Sequence, residues 1–411
     1  MNLELLIARR LLKGGNKGSV SAPIVRIAQA GIVLGVCVML LSICITGGFK
    51  REITEKLTGF VSHVDIGSYG GSSAYADEHI RVSDTLLANM TGLPEVREAS
   101  VYVRKPAILK TGREIHGAML HGVNAAYRGD FFKKEIREGT FPDFSTEQAS
   151  DRILLSASVA RLLNLKTGDK LQAHFVQDPP RVRVFTVSGI YDTGFREYDD
   201  VFVLCDIRHL QRLNGWEPEE VSGISVTLWN IGRLHEAVEK IEGQLDWKEG
   251  GDFYRIDTLY GTAPEIFDWL NLLNMNVWII LILVILVAGM NMVSGLLILI
   301  LDKTALIGVL KALGYRNVRL RRLFLYVTAG LVGKGMLWGN AAALLLAGLQ
   351  YFFRLIPLDP ESYYMDTVPV SFDWLAIIGL NAGVWLVSVL MLIVPTVLIS
   401  GIQPVRAIRF E

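Results

Sequence analysis

The sequence predicts a membrane protein with four transmembrane α-helices and one large α+β extracytoplasmic domain inserted between helices 1 and 2. Three observations predict it. Apolar residues gather in four blocks, at 24–48, 277–301, 323–353 and 374–400, each reaching the roughly 20 residues that cross hydrocarbon. One such block fits a buried helix of a soluble protein; four in one chain argue against that. Basic residues concentrate on one side of the blocks. Arg9, Arg10, Lys13, Lys17 and Arg26 precede the first. Lys303, Lys311, Arg316, Arg319, Arg321 and Arg322 separate the second from the third, and Arg406 and Arg409 follow the fourth. Finally, the long segment 49–276 mixes strand and helix patterns.

These signals place segment 1–23, loop 302–322 and tail 401–411 in the cytoplasm. Segment 49–276 and the short loop 354–373, where Arg354 stands against Asp359, Glu361, Asp366 and Asp373, lie outside it. In segment 1–23, Leu3, Leu6, Ile7 and Leu11 share a helical face with Arg9, Arg10 and Lys13 among them, which suits a helix resting on anionic lipid. The first block is too long for a signal-peptide core and has no A-x-A-like site after it, so it reads as a retained anchor. Its Gly31 and Gly35 permit close helix packing. Beyond Gly47-Gly48, the positions of Phe49, Ile53, Lys56, Leu57 and Phe60 continue the helix past the membrane.

Within the inserted domain, alternation predicts strands at 181–190 and 224–229, a short apolar strand at 200–205, and strands within 104–123 broken at Gly112 and Gly117. Helical spacing fits 156–165, 207–213 and 231–245, and 263–276 leads as a helix into the second span. The chain has three cysteines. Cys37 and Cys44 lie in the first span and Cys205 is alone outside it, so the domain must be held by its core rather than by a disulfide. The third span is glycine-rich (Gly330, Gly333, Gly335, Gly339) and carries Lys334, read either as a functional charge or as a snorkelling side chain. Pro395 predicts a kink near the end of the fourth span.

The stretch DKTALIGVLKALG, 302–314, is too short and polar to be a span. Leu306, Val309, Leu310 and Leu313 recur on one helical face, and Gly314 is placed to stop the helix. So short a helix is marginal alone, so its apolar face must dock, either in the membrane interface or on a protein.

No catalytic constellation appears. GxxxxGK[ST] is absent, Gly14–Ser19 has the wrong spacing, and no GxSxG elbow occurs. His116 and His121 read as satisfied histidines. Asp192, Glu197, Asp199 and Asp200 read as a solvated turn in preference to a cation site, and no metal spacing is present. With 41 basic and 41 acidic residues the net charge is zero, which gives no electrostatic case for nucleic acid. Energy-dependent work must be powered by a partner.

Several blocks together resemble one family. IARRLLKGG followed by GIVLGVCVMLLSICITGGFKREITEKLTGFVSHVDI, REGTFPDF at 137–144, RILLSASVARLLNLKTGDKL at 152–171, DKTALIGVLKALG, and the closing IQPVRAIRFE are similar to the LolC/LolE lipoprotein-releasing permeases of the MacB/FtsX-like superfamily. The resemblance implies a permease subunit of the cell inner membrane of a Gram-negative-type bacterium. It implies partnership with a LolD-like ABC ATPase that binds ATP and Mg, with no cofactor in this chain, and with a second permease subunit, identical or different. The short cytoplasmic helix is then a coupling helix, with Lys303, Leu306, Ile307, Leu310 and Lys311 as ATPase contacts. The family's charged pair before I-G is Ala305-Leu306 here, a more apolar surface. Lipoprotein acyl chains would enter a cavity lined by Val36, Leu40, Ile43, Val277, Ile280, Leu283, Val284 and Val287. A periplasmic carrier would meet the loop at about 172–183, with Val176, Pro179 and Pro180. An FtsX-like regulator of a cell-wall hydrolase and a MacB-like export permease are the alternatives the same resemblance allows.

Overall fold

The computed structural model describes residues 21–69, 79–112, 114–245, 254–359 and 363–391, with residues 4, 6–8 and 10. In chain order, helix α1 (Ser21–Phe60) leads into β1 (Val64–Ser68), β2 (Ile80–Arg81), α2 (Asp84–Thr91), β3 (Val96–Thr111) and β4 (Glu114–Val123). Then come β5 (Ile136–Gly139), β6 (Arg152–Ser156), α3 (Ala157–Leu162), β7 (Lys170–Phe175), β8 (Arg181–Tyr191), β9 (Phe202–Asp206) and α4 (Ile207–Asn214). β10 (Glu220–Val221), β11 (Gly223–Leu228), α5 (Leu234–Glu242) and β12 (Tyr254–Thr258) complete the insertion. Helices α6 (Pro264–Asp302), α7 (Thr304–Ala312), α8 (Asn317–Phe353) and α9 (Trp374–Met391) follow. The chain forms two compact units, one of Met1–Arg51, Trp269–Pro357 and Thr367–Glu411, the other of Glu52–Asp268 and Leu358–Asp366.

In the first unit, α1, α6, α8 and α9 are long and apolar enough to cross a membrane. Helix α1 is the best buried of them because glycines let its neighbours approach. On the α6 side, Gly35 lies against Val284 and Ala288, and Gly295 lies against Ala28. On the α8 side, a Cβ added to Gly335 would lie 2.7 Å from Ile32, and one added to Gly339 would lie 2.8 Å from the Val33 carbonyl oxygen. Of the third span's glycines, Gly333 instead faces open space. Two apolar clusters fill the unit: one around Ile32, Val36, Met39, Leu320, Phe324 and Val332, the other around Cys37, Leu40, Cys44, Ala343 and Ile377. Asn340 and Asn381 exchange amide hydrogen bonds of 2.6 and 3.0 Å and so clip α8 to α9. The Gln350 amide bonds the Val368 carbonyl and the Ile356 N–H, closing the base of the connection between those helices. Pro395, the end of the fourth block and most of segment 1–23 lie outside the described residues.

The second unit is built on a ten-stranded sheet in the order β12-β1-β11-β3-β4-β9-β6-β8-β5, with β7 paired to both β3 and β8. Strands β3, β4, β9, β6, β8 and β7 thereby close a ring, which removes edges from that part of the sheet. The core runs from Val103, Leu109 and Leu120 to Phe175, Phe185 and Val203, and takes Met90 from α2 and Ala237 and Ile241 from α5. Gly112, at φ +53°, makes the β3–β4 turn. Gly117 does not break a strand: it pairs with Ile108 in the middle of β4, where its missing side chain meets nothing. Cys205 is a free, buried thiol, as its isolation in the sequence predicts.

The last turns of α1 are anchored in this unit. Phe60 packs edge-on against Phe131, Phe132 and Phe202 and stacks on Tyr198, contacts of a kind that add about 0.5–1.5 kcal/mol each. One turn earlier, Lys56 donates to the Thr193 carbonyl at 2.5 Å and the Tyr364 carbonyl at 3.1 Å, joining α1 to two loops. Just past the helix, His63 Nδ1 accepts the Leu228 N–H at 2.9 Å. Burial, and then the nearby Arg97 charge, push its pKa down to about 4.

Two outcomes test this packing. Gly339→Leu should lower the melting temperature of the detergent-purified protein markedly, whereas Gly333→Leu should leave it nearly unchanged. Acidification from pH 7 to pH 5 should cost the wild type on the order of 2 kcal/mol at His63, because the unfolded chain takes up a proton that the folded ring refuses. That stability is present above about pH 6.5 and is lost as pH falls toward 4. Thermal unfolding of His63→Asn, whose amide oxygen accepts the same N–H without titrating, should show a smaller loss.

Candidate functional site

Helix α7 has two apolar sides. It begins one residue after α6 ends, with Thr304 Oγ1 donating to the Leu301 carbonyl and Lys303 paired to Asp302 at 2.8 Å. Gly314, at φ +83°, ends it, and the Tyr315 N–H caps the Leu310 carbonyl at 3.0 Å. Ile307 is 0 % exposed and belongs to the cluster around Ile32 and Phe324. Leu310 is half-buried beside Leu323 and Val327. These two residues seat the helix on its own chain. The outward side carries Leu306, Val309 and Leu313, which are 36, 49 and 78 % exposed. Spacings of three and four residues keep them on one stripe. Leu306, Val309 and Leu313 are therefore the apolar residues the helix leaves uncovered; of the five contacts carried over from the family motif, Ile307 faces inward, and Leu310, Lys303 and Lys311 are half-buried. The stripe itself was visible in the sequence spacing.

The cavity candidates divide in the same way. Val36 and Leu40 are 1 and 0 % exposed, packed inside the helical unit, so they line no open surface of this chain. Ile43, Val277 and Val284 pack against the same core while half-buried. Ile280, Leu283 and Val287 are exposed along α6. Lys334 is exposed on α8. Its neighbour Gly335 packs on Ile32 and Gln29 of α1.

The loop expected at 172–183 is mostly strand. Pairing of β7 with β8 runs from Lys170↔Thr186 to Phe175↔Arg181, leaving only 176–180 as the turn. Val176 is 84 % exposed, Pro179 and Pro180 are exposed, and the Arg181 guanidinium donates to the Leu213 carbonyl at 3.3 Å. Sequence reasoning missed the neighbouring surface. Ile108 and Val182 both stand opposite His174, and Lys110 stands between Ile115 and Gln172. Ile108, Ile115, Val182 and Val184 are all exposed there. Their one-sided spacing was present in the sequence, but only the β3–β7–β8 pairing joins them into a patch.

The acidic group is a built turn. Asp199 accepts the Thr193 hydroxyl at 2.9 Å and its N–H at 3.2 Å, Asp192 accepts the Gly194 N–H, and Asp200 accepts the Ser158 hydroxyl. Burial raises Asp199 to about 6. His116 bonds the Asp200 carbonyl, and His121 is buried against Tyr102 and Arg104. Among the described residues no group of His, Cys, Asp and Glu has metal-ligand geometry.

Residues 27–244 match the MacB-like periplasmic core domain, and residues 278–404 match the FtsX-like permease C-terminal domain. Three curated relatives are similar over the whole chain. The lipoprotein-releasing system transmembrane protein LolC of Neisseria meningitidis is 26 % identical, covering 100 % of both chains. LolC of Xylella fastidiosa is 23 % identical over 100 % of this chain and 99 % of its own. LolE of Haemophilus influenzae is 22 % identical over 99 % of each. The chain belongs to the MacB-like periplasmic core domain family, joined to an FtsX-like permease C-terminal domain, and is similar over its whole length to LolC and LolE proteins.

Proposed function

We propose that this chain is the membrane subunit of an ABC transporter that extracts lipoproteins from the outer leaflet of the inner membrane for delivery to the outer membrane, powered by a separate ATPase docked on α7. The observation that carries the reading is the outward stripe of Leu306, Val309 and Leu313 on a helix whose opposite side is locked into its own chain by Ile307 and Leu310. A short helix held in this way is a rigid handle with an unmet apolar face. The full-length similarity to lipoprotein-releasing proteins supports the substrate class.

ATP and Mg belong to the partner in this reading. Closure of the ATPase pair pulls on α7, and α6, one residue away, takes up the motion. Helices α1 and α6 are unbroken over 40 and 39 residues, about 60 Å each, and so carry displacement without bending away the work. Each CH₂ of an acyl chain contributes about 0.8 kcal/mol to membrane anchoring, so release of a multiply acylated protein needs that input. The exposed face of α6 at Ile280, Leu283 and Val287 suits the acyl chains. The β7–β8 turn with Ile108, Ile115, Val182 and Val184 suits a soluble carrier with an apolar mouth. That patch favours lipoprotein handover over regulation of a cell-wall hydrolase.

Val309→Glu should abolish co-purification of the ATPase while the melting temperature stays unchanged; retention of the ATPase would overturn the docking assignment. A mild-detergent pull-down of the wild type from its native membrane, analysed by mass spectrometry, should recover an ABC ATPase and acylated lipoproteins. Recovery of the ATPase with a cell-wall hydrolase and no lipoprotein would overturn the substrate assignment.

A further inference from the structure

Glycine in the interior of a helix weakens it, so a pair of them needs a reason. Gly47 and Gly48 lie inside the unbroken α1, and the residues that follow α8 supply the reason. A Cβ added to Gly48 would lie 2.5 Å from the Pro369 carbonyl oxygen, and one added to Gly47 would lie 2.8 Å from Ser371 Oγ. The Ser371 N–H donates to the Cys44 carbonyl at 3.0 Å, and Val370 and Phe372 pack on the cluster of Cys37, Leu40 and Cys44. Within the helical unit, the α8–α9 connection therefore lies backbone against backbone over a notch in α1. Its tip, Leu358–Asp366, belongs to the other unit together with Lys56. Tyr364 stands there at φ +60°, a conformation unfavourable for any residue with a Cβ, and presents its carbonyl to the Lys56 ammonium at 3.1 Å. Its ring meets Phe195 edge-on at 4.9 Å, and Met365 beside it is buried. Two glycines in a helix and one tyrosine in the left-handed region are each locally unfavourable. All three are explained by one connection being held to α1 at two places.

We propose that the α8–α9 connection is a strap that stays fastened to α1 through the working cycle, so that α8 and α9 move with α1 and not past it. Gly48 and Lys56 are about 12 Å apart along the helix, so the strap cannot pivot about a single point. Unfastening it would take from the Lys56 ammonium one of its two carbonyl acceptors and would uncover Met365 and the Cys44 cluster. The inference rests on the transmission role given to α1 under the proposed function, and adds that α8 and α9 share it. Lys56 is then a positioning residue, acting through the strap and touching no cargo.

The test pairs Gly47→Cys with Ser371→Cys in the full transporter in its native membrane. The 2.8 Å from the added Cβ to Ser371 Oγ is close to the spacing a disulfide requires. Mild oxidation should join the pair in most chains, read as a loss of maleimide-reactive thiols after denaturation. Neither single variant, nor the wild type with its buried thiols, should show that loss. Lipoprotein release per ATP hydrolysed should be nearly the same in the oxidised and reduced samples. Gly48→Leu, which wedges the strap off the notch, should lower that ratio about tenfold while ATP hydrolysis continues. Absence of the disulfide in a folded double variant would overturn the proposal, as would a loss of release on oxidation that a reductant reverses, or an unchanged ratio in folded Gly48→Leu. The disulfide is read without cargo or ATPase, so the strap and the transport reading can fail separately.

Discussion

The close approach of α1 to its two neighbours is the constraint on which the helical unit depends. Gly35 and Gly295 bring α1 and α6 together, and Gly335 and Gly339 bring α8 onto the opposite side. In lipid no hydrophobic effect draws helices together, so dispersion and backbone proximity must supply the attraction. Every glycine in these seams removes atoms that would otherwise hold two backbones apart. The result is a central helix with rigid walls. It continues without a break to Phe60, whose ring is enclosed by aromatic residues, and to Lys56, whose ammonium is held by two carbonyls.

The same logic explains α7. A helix of nine residues has little stability of its own, and burying Ile307 and Leu310 fixes its orientation. Fixing one side necessarily presents the other, and three leucine and valine side chains left on that side need cover. The inserted domain offers a comparable economy. Closing β3, β4, β9, β6, β8 and β7 into a ring leaves few free edges, so its exposed apolar rows on β3, β4 and β8 stand on a stiff surface. Buried polar groups of this unit, including Asp199 and His63, are consumed by turns and a helix exit.

Much of this was legible in the sequence because it depends on period and length. Four apolar blocks, basic flanks, the helical continuation to Phe60, the strands at 181–190 and 224–229, and the short helix after the second block each announce themselves in a local pattern. Local pattern does not reveal strands β1, β6, β7 and β12 and makes Gly117 read as a break, because a strand held by pairing on both sides tolerates residues that local propensity disfavors. The surface around the β7–β8 turn was half legible: a turn follows from Pro179-Pro180, but the apolar patch beside it requires residues 108, 115, 182 and 184 to become neighbours.

The sequence by itself determined which segments are helices of membrane length, where the large insertion falls, and that α7 has an unmet apolar face. Tertiary structure alone decided which of several apolar side chains are spent inside the molecule. Ile307 and Leu306 are adjacent and equally apolar, as are Val36 and Ile280 by composition. Only packing separates them, because burial depends on which neighbour approaches, and the neighbours that bury Ile307 and Val36 lie far away in the chain.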